Sequence, residues 1–204
     1  MADPSTTTEI QAVNTILSAI GELPTTATVL ANGTSADVVM AKQILDEVNR
    51  EVQAEGWHFN TDYKVTFTPD GSTKHIVLTD GNIVRVTVAG RDLTIRYDSG
   101  TTERRLYDKE ENTYEFESPL TEEAVVVYLF EFFGIPEAAK RYITIRSARL
   151  FQDRMVGSAN HHKFTERDEF KALLDLKEYE GSTAAPNIFQ SLGTYNIIKR
   201  GSVL

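Results

Sequence analysis

Four histidines have the most versatile chemistry in this sequence, because imidazole binds metals and transfers protons near neutral pH. His161 and His162 are adjacent, and Asp153 lies upstream of them. Zinc sites use roughly three or four converging ligands, often at i, i+4 or short-loop spacing. The sequence has no H-E-x-x-H motif and no third ligand in register, so the pair is more typical of a loop. His58 and His75 stand alone in or near expected strands.

Other kinds of catalysis have no clear motif either. The Gly-Ser pairs at residues 157–158 and 181–182 lack the G-x-S-x-G form of a serine hydrolase, and no glycine-rich loop ends in Lys-Ser or Lys-Thr. Carboxylate pairs such as residues 122–123 could serve a hydrolase only at the right separation in space. We therefore expect no catalytic residue, cofactor or metal. The alternative is a soluble metal-binding protein or hydrolase that uses His161, His162 and nearby carboxylates.

A basic helix is the more informative feature. Pro136 can open a helix that extends to about residue 156, and Arg146, Arg149 and Arg154 lie on it. Three interpretations remain open: a solvated or salt-bridged face, a contact with an acidic surface of a neighbouring subunit, and nucleic-acid binding. The net charge of −9 weakens the third, since DNA-gripping proteins usually present a basic face.

Composition limits the class of protein. The chain has 204 residues, with 41% hydrophobic and 25% charged side chains, which suits one domain or one domain with an insertion. Cysteine is absent, so disulfides and thiolate metal sites are excluded. The acidic balance is compatible with a surface that DNA slides past. The most apolar stretch, residues 124–133, is shorter than the roughly 20 residues of a membrane span, so we expect no membrane insertion.

The first part of the chain has the pattern of amphipathic helices. A helix is predicted over residues 9–20, followed by a threonine-rich loop over 25–34. Ser35 can cap a second helix that extends to about residue 55, and Gly56 stands where a helix-ending glycine belongs. Trp57 follows, either as a core residue where two layers meet or as an interface hot spot.

From residue 58 the period changes to two. Short alternating segments separated by Asp-Gly turns predict an antiparallel sheet of hairpins inserted between helices. Residues 121–133 are apolar on almost every side. Their valines favour a strand, but the flanking proline and glycine lead us to predict a short buried helix. A last helix is predicted over residues 166–179, with three apolar residues facing inward: Phe170, Leu173 and Leu174.

The predicted fold class is α+β: mainly a helical bundle with an inserted antiparallel β-sheet module and an extended C-terminal arm. The bundle comprises residues 1–57 and 119–181, the β module 58–118 and the arm 182–204. The arm begins with small and polar residues that resemble a hinge and then carries scattered apolar side chains. These are too many for a solvated tail, so we expect them to bury against the chain itself or a partner. They are Phe189, Leu192, Tyr195, Ile197 and Ile198.

Three segments together resemble the tail tubular protein A family of T7-like short-tailed phages. The first is AVNTILSAIGELP at residues 12–24, and the second, residues 41–61, ends in GWHFNT. The third is residues 141–157, which contain Ala148-Arg149. No single motif is diagnostic, but their order, their spacing, the chain length and the strand insertion agree with that family.

The resemblance implies a structural head-to-tail adaptor and not an enzyme. It implies a helical bundle with a β insertion, assembled as a dodecameric ring that joins the portal protein to the tail nozzle protein. Double-stranded DNA would pass transiently through the centre, and tail fibres are a further candidate partner. The protein would assemble in the cytoplasm of the infected bacterium and function in the virion tail.

The interface residues are hypotheses that rest on this resemblance. Trp57 and Phe59 would lie at the junction of helices and sheet, and the arm, residues 189–198, would dock on the portal. The hairpins would face the nozzle. The hypothesised inter-subunit or portal-facing contacts are Arg146, Arg149 and Arg154.

Overall fold

The computed structural model describes residues 6–97, 102–157 and 159–183, apart from the side chains of 121–123 and 159–165. Within these ranges the fold is α+β, as the sequence predicts. The helices are α1 Glu9–Ser18, α2 Ala27–Asn32, α3 Ala36–Ala54, α4 Glu137–Met155 and α5 Ala159–Thr183. The strands are β1 Thr61–Phe67, β2 Ile83–Val88, β3 Leu93–Tyr97, β4 Arg104–Asp108 and β5 Leu120–Tyr128. Single 3-10 turns stand at His58–Asn60 and Phe132–Gly134.

The first three helices follow from local capping and from their apolar stripes. Thr8 and Gln11 form a capping box at the start of α1. The loop predicted over residues 25–34 is wrong, because Thr26 caps the short helix α2 and Gly33 ends it in the left-handed conformation. The predicted extent of α3 is confirmed, with Ser35 at the N-cap position but no capping hydrogen bond from its side chain. Gly56, with φ of 84°, follows the last turn.

Helix α4 is the centre of the helical part. It packs against α1, α3 and α5, and it buries side chains on several sides, including Ile143, Ser147 and Phe151. Around it lies one apolar core, formed with α1 and α3 through Ile16, Leu45 and further residues. Met155, in the last turn of α4, is exposed.

Helix α5 differs from its prediction in two ways. It begins at Ala159, so His161 and His162 lie on a helix and not in a loop. Ala172 and Leu176 are buried, and Leu173, predicted to face inward, packs partly buried against the core. Phe170 and Leu174, also predicted to face inward, are exposed. The apolar residues of this helix lie on both faces, and α4 covers only one of them.

The strands form two small antiparallel sheets over a second apolar core. In the three-stranded sheet the order is β1-β5-β2, and β3 pairs with β4 in a separate hairpin. The predicted series of hairpins is therefore correct for β3 and β4, but β1 and β2 pair with β5 and not with each other. Buried side chains such as Ile76, Leu106 and Val126 form the core between the sheets.

The short helix predicted over residues 121–133 is wrong. Residues 120–128 are the central strand β5, and a 3-10 turn follows at Phe132–Gly134. The consecutive residues Val126 and Val127 point to opposite faces of the sheet, and both are buried. The apolar run therefore shows no alternation and resembles a buried helix. Strand β5 therefore belongs to the sheet, although residues 119–181 were predicted as part of the helical bundle. The division of the chain into domains stays a proposal.

Candidate interaction surfaces and the helix–sheet junction

Three buried amide side chains join the end of α3 to the end of β5. Gln53 donates from Nε2 to the Phe130 carbonyl at 2.8 Å and accepts at Oε1 from the Phe130 amide at 2.8 Å. It also donates to Asn49 Oδ1 at 2.9 Å. Asn60 donates to the carbonyls of Gln53 at 2.8 Å and Tyr128 at 2.7 Å. Because buried hydrogen bonds of this kind are directional, the network fixes how the sheet meets the helices.

Trp57 and Phe59 lie at this junction, where the sequence predicts them. Both are partly buried against the helical core. The indole Nε1 of Trp57 donates at 2.7 Å to the Val52 carbonyl in the last turn of α3, which also accepts from the Glu55 amide at 3.3 Å. This placement fits the core interpretation of Trp57, and an interface role for either residue stays a prediction.

Gly56 and Arg85 form the second contact of the junction. The Nη2 atom of Arg85, on β2, donates to the Glu55 carbonyl at 3.2 Å. A cation at the C-terminal end of a helix interacts favourably with the partial negative charge there. The guanidinium group comes so close because Gly56 has no Cβ atom; an ideal Cβ there would lie 2.6 Å from Arg85 Nη2.

The three arginines of α4 make ion pairs within the chain. Arg146 donates to Glu51 on α3 at 2.6 Å and to the Tyr142 hydroxyl at 2.9 Å. Arg149 pairs with Glu169 on α5 and, at 3.3 Å, with Asp153. Arg154 donates to the two carboxylate oxygens of Glu47 on α3, at 3.2 and 3.3 Å. Of the three interpretations of these arginines, the salt-bridged face is the one that predicts such ion pairs.

The ion pairs of Arg149 and Arg154 differ in burial and therefore in how much they stabilise the fold. The hydrogen bond from Arg149 to Glu169, together with its Coulomb attraction, raises the pKa of the Arg149 guanidinium despite the opposing effect of burial. The hydrogen bond from Arg154 lowers the pKa of Glu47, but that carboxylate faces solvent. Solvent screening leaves the exposed pair with little net stabilisation. Contact with a neighbouring subunit stays a prediction for all three arginines.

Replacing Arg149 with leucine is expected to lower the free energy of unfolding by about 1–3 kcal/mol, because it leaves the charge of Glu169 desolvated and unpaired. The two side chains are only 19% and 14% exposed. Arg154→Leu is the matched control on the same helix, and about 0–1 kcal/mol is expected there. Its pair is 49% and 53% exposed. Urea unfolding followed by circular dichroism measures both, and equal losses would contradict this ranking.

The two histidines whose side chains are described, His58 and His75, have different surroundings. His58 is exposed, and its backbone amide donates to Glu180 on α5. His75 is half-buried, with its ring edge-on to Tyr114 at 6.2 Å between centroids. The side chains of His161 and His162 are outside the described part of the chain. In that part, no three His, Asp or Glu side chains are grouped closely enough to hold a metal ion.

The predicted arm residues, Phe189, Leu192, Tyr195, Ile197 and Ile198, lie outside the described residues. Helix α5 extends to Thr183, so the first two residues of the arm, predicted as part of a hinge, are helical. Among the described helices, none is both long and apolar enough to cross a membrane.

Sequence reasoning missed the amide network and the Arg85 contact. Gln53 directly follows Val52, a residue of the apolar stripe of α3. This position next to the stripe is the sequence signal that could have indicated a buried amide. The partners of these groups are backbone atoms of a distant strand end, which no local pattern reveals.

One comparison decides the family. The sequence model of the tail tubular proteins matches residues 10–186, which include both sheets and, apart from Glu9 at the start of α1, the helices of the described residues. The chain belongs to the tail tubular protein family. Among curated proteins, none matches it. This tail tubular family member therefore has a structural role in a phage tail, and the resemblance stated from the sequence is confirmed.

Proposed function

We propose that this chain is the head-to-tail adaptor of its phage: a homo-oligomeric ring that joins the portal to the tail nozzle and lets DNA pass. The observation that carries the proposal is the family match over residues 10–186, which includes the helical part and the sheets. A dodecamer is proposed from the resemblance. The ring would assemble in the infected cell, tail fibres would be a further candidate partner, and the chain would have no catalytic activity.

The two-part architecture supports an adaptor. A connector has to present one surface to each neighbour and keep the two in a fixed relation. The helices and the sheets have separate apolar cores, and the amide network of Asn49, Gln53 and Asn60 ties the two parts together. We propose that the sheets face the nozzle and that the arm, residues 189–198, docks on the portal.

The charge of the chain supports passage of DNA. The net charge is −9, and the three arginines that could have contacted phosphates make ion pairs with carboxylates of the same chain. Phosphates are held mainly by lysine and arginine side chains that are free to replace counterions. A wall that repels phosphate would let DNA move without holding it.

Mass photometry of the purified protein, with and without the portal protein, tests the proposal. The full chain is expected to form a many-subunit ring bound to the portal, since binding to a template stabilises an assembly by mass action. A chain that ends at Thr183 keeps α5 and its Glu180 contact with His58, but lacks the proposed docking arm. We expect its affinity for the portal to fall by at least about tenfold.

Circular dichroism of the shortened chain is the folding control. Its helical signal and its cooperative unfolding should match those of the full chain. If the shortened chain binds the portal as well as the full chain, the arm is not the docking segment. If the full chain remains a monomer in the presence of the portal, the adaptor proposal itself fails.

A further inference from the structure

The three-stranded sheet has two outer edges, one along β1 and one along β2, because β5 lies between these strands. Among the described strands, none pairs along either outer edge; Val88, at the end of β2, forms a single bridge with Arg91. An open edge presents amides and carbonyls to which a strand of another molecule can add. How each edge is built therefore decides whether copies of this chain can join through their sheets.

Strand β1 carries an extra residue where it pairs with the middle of β5. Asp62 pairs with Val126, and three residues later Val65 pairs with Ala124, which is only two residues from Val126. This irregularity is a β-bulge, which bends a strand and interrupts the even spacing of its hydrogen-bonding groups. A strand of another molecule would need that even spacing to pair along the outer edge of β1.

Lys64 lies in this bulge and adopts a φ of 59°. Residues with a Cβ atom rarely adopt this left-handed conformation, which glycine adopts without strain. The Lys64 side chain is exposed, and lysine on an edge strand opposes the addition of a further strand, which would crowd its charge. The bulge and the lysine are thus two separate obstacles to pairing at the same point of β1.

The start of β2 is blocked by a side chain from the other sheet. The Leu129 amide donates to the Asn82 carbonyl at 2.7 Å. The next carbonyl, that of Ile83, therefore points to the outer edge, because successive carbonyls of an extended strand point to opposite sides. The guanidinium of Arg104, on β4, donates to this Ile83 carbonyl. Strand β2 also has a register shift directly after Ile83.

We propose that both outer edges of this sheet are built to prevent a further strand from adding, so that copies of the chain do not join through their sheets. Lys64 and its bulge block the edge of β1, and Arg104 blocks the start of β2. Without these obstacles, the β1 edges of two copies could pair with each other in an isologous contact. The inference goes beyond the proposed adaptor and does not depend on the ring.

Deletion of Lys64 tests the edge of β1. The deletion leaves two steps between Asp62 and Val65, as between their partners on β5, so the flanking pairs are kept while the bulge is removed. A cysteine is placed at the exposed Thr66, in a chain that has none of its own, and a short bis-maleimide is added without the portal. We expect at least about tenfold more covalent dimer from the deletion variant than from Thr66→Cys alone.

Lys64→Gly isolates the bulge from the charge. Glycine keeps the extra residue and adopts its φ without strain, so the urea midpoint should rise by about 0.5 M. In the Thr66→Cys background this variant is expected to give less dimer than the deletion, since the bulge still interrupts the edge. If it dimerises as much as the deletion does, the bulge is not what blocks β1.

Arg104→Met tests the other edge independently, because it removes the donor to the Ile83 carbonyl. With a cysteine at the exposed Thr87 on β2, it is expected to give at least about tenfold more dimer than Thr87→Cys alone. Circular dichroism checks that each altered chain is folded. If the altered edges stay uncross-linked in folded chains, other features block them and the proposal is wrong.

The two reference variants decide the proposal even if an altered edge prevents folding. Thr66→Cys and Thr87→Cys keep both edges intact and are expected to remain uncross-linked at the same protein concentration. Abundant dimers from either one would show that the edge accepts a second copy, which would overturn the proposal. Failure of the wild type to form a ring on the portal would contradict the adaptor proposal and leave this one unchanged.

Discussion

Replacing Gln53 with leucine is expected to lower the free energy of unfolding by about 2–4 kcal/mol, measured by urea unfolding. The side chain is fully buried and satisfies both the amide and the carbonyl of Phe130. Leucine has a similar size but no polar atom, so the Phe130 amide would lose its partner away from water. An unsatisfied buried group costs about 1–3 kcal/mol, and Asn49 Oδ1 would lose a donor as well.

Gln43→Leu is the matched control, because Gln43 is an exposed glutamine on the same helix. Its effect is expected to stay within about 0.5 kcal/mol. A Gln53→Leu variant as stable as the wild type would mean that water or a shifted backbone replaces these hydrogen bonds. The amide network could not then be what fixes the sheet on the helices.

Gly56→Ala is expected to lower the free energy of unfolding by about 2–3 kcal/mol, for two reasons that add. Its φ of 84° is the left-handed conformation, which costs a residue with a Cβ atom about 1–2 kcal/mol. The new Cβ would also lie 2.6 Å from Arg85 Nη2 and 3.1 Å from Val127 Cγ2. The arginine can move away, but only by losing its hydrogen bond to the Glu55 carbonyl.

Gly21→Ala isolates the backbone contribution. Gly21 has nearly the same φ, 83°, and an added Cβ would meet nothing within 4 Å. We expect a loss of about 1 kcal/mol there, roughly half of that at Gly56. If both substitutions have the same effect in urea unfolding, the close approach of Arg85 and Val127 adds nothing to the stability of the junction.

These two variants also connect stability to function. A ring that joins two different neighbours has to keep its helical and sheet parts in one orientation, and the amide network and the Arg85 contact are polar links between them. In the adaptor proposal, where the sheets face the nozzle, a looser junction would weaken attachment of the nozzle.

Much of the helical part could be predicted from the sequence. The stripe of Val38, Leu45 and Val52 on α3 has a 3.6-residue period, and Gly56 is a local ending signal, so neither depends on distant residues. The family could also be named from the joint pattern of three segments, which the match over residues 10–186 confirms.

The sequence by itself determined the amphipathic helices and most of the short alternating strands, because periodicity, capping and turn residues act within a few positions of each other. The family came from the resemblance of three segments. Only the tertiary structure decided that β5 is a central strand, that Phe170 and Leu174 face outward, and that Gln53 binds the backbone at Phe130. Each of these depends on which neighbour covers a given face. A burial pattern records that a face is apolar, but it does not record whether a strand, a helix or a second copy lies against it.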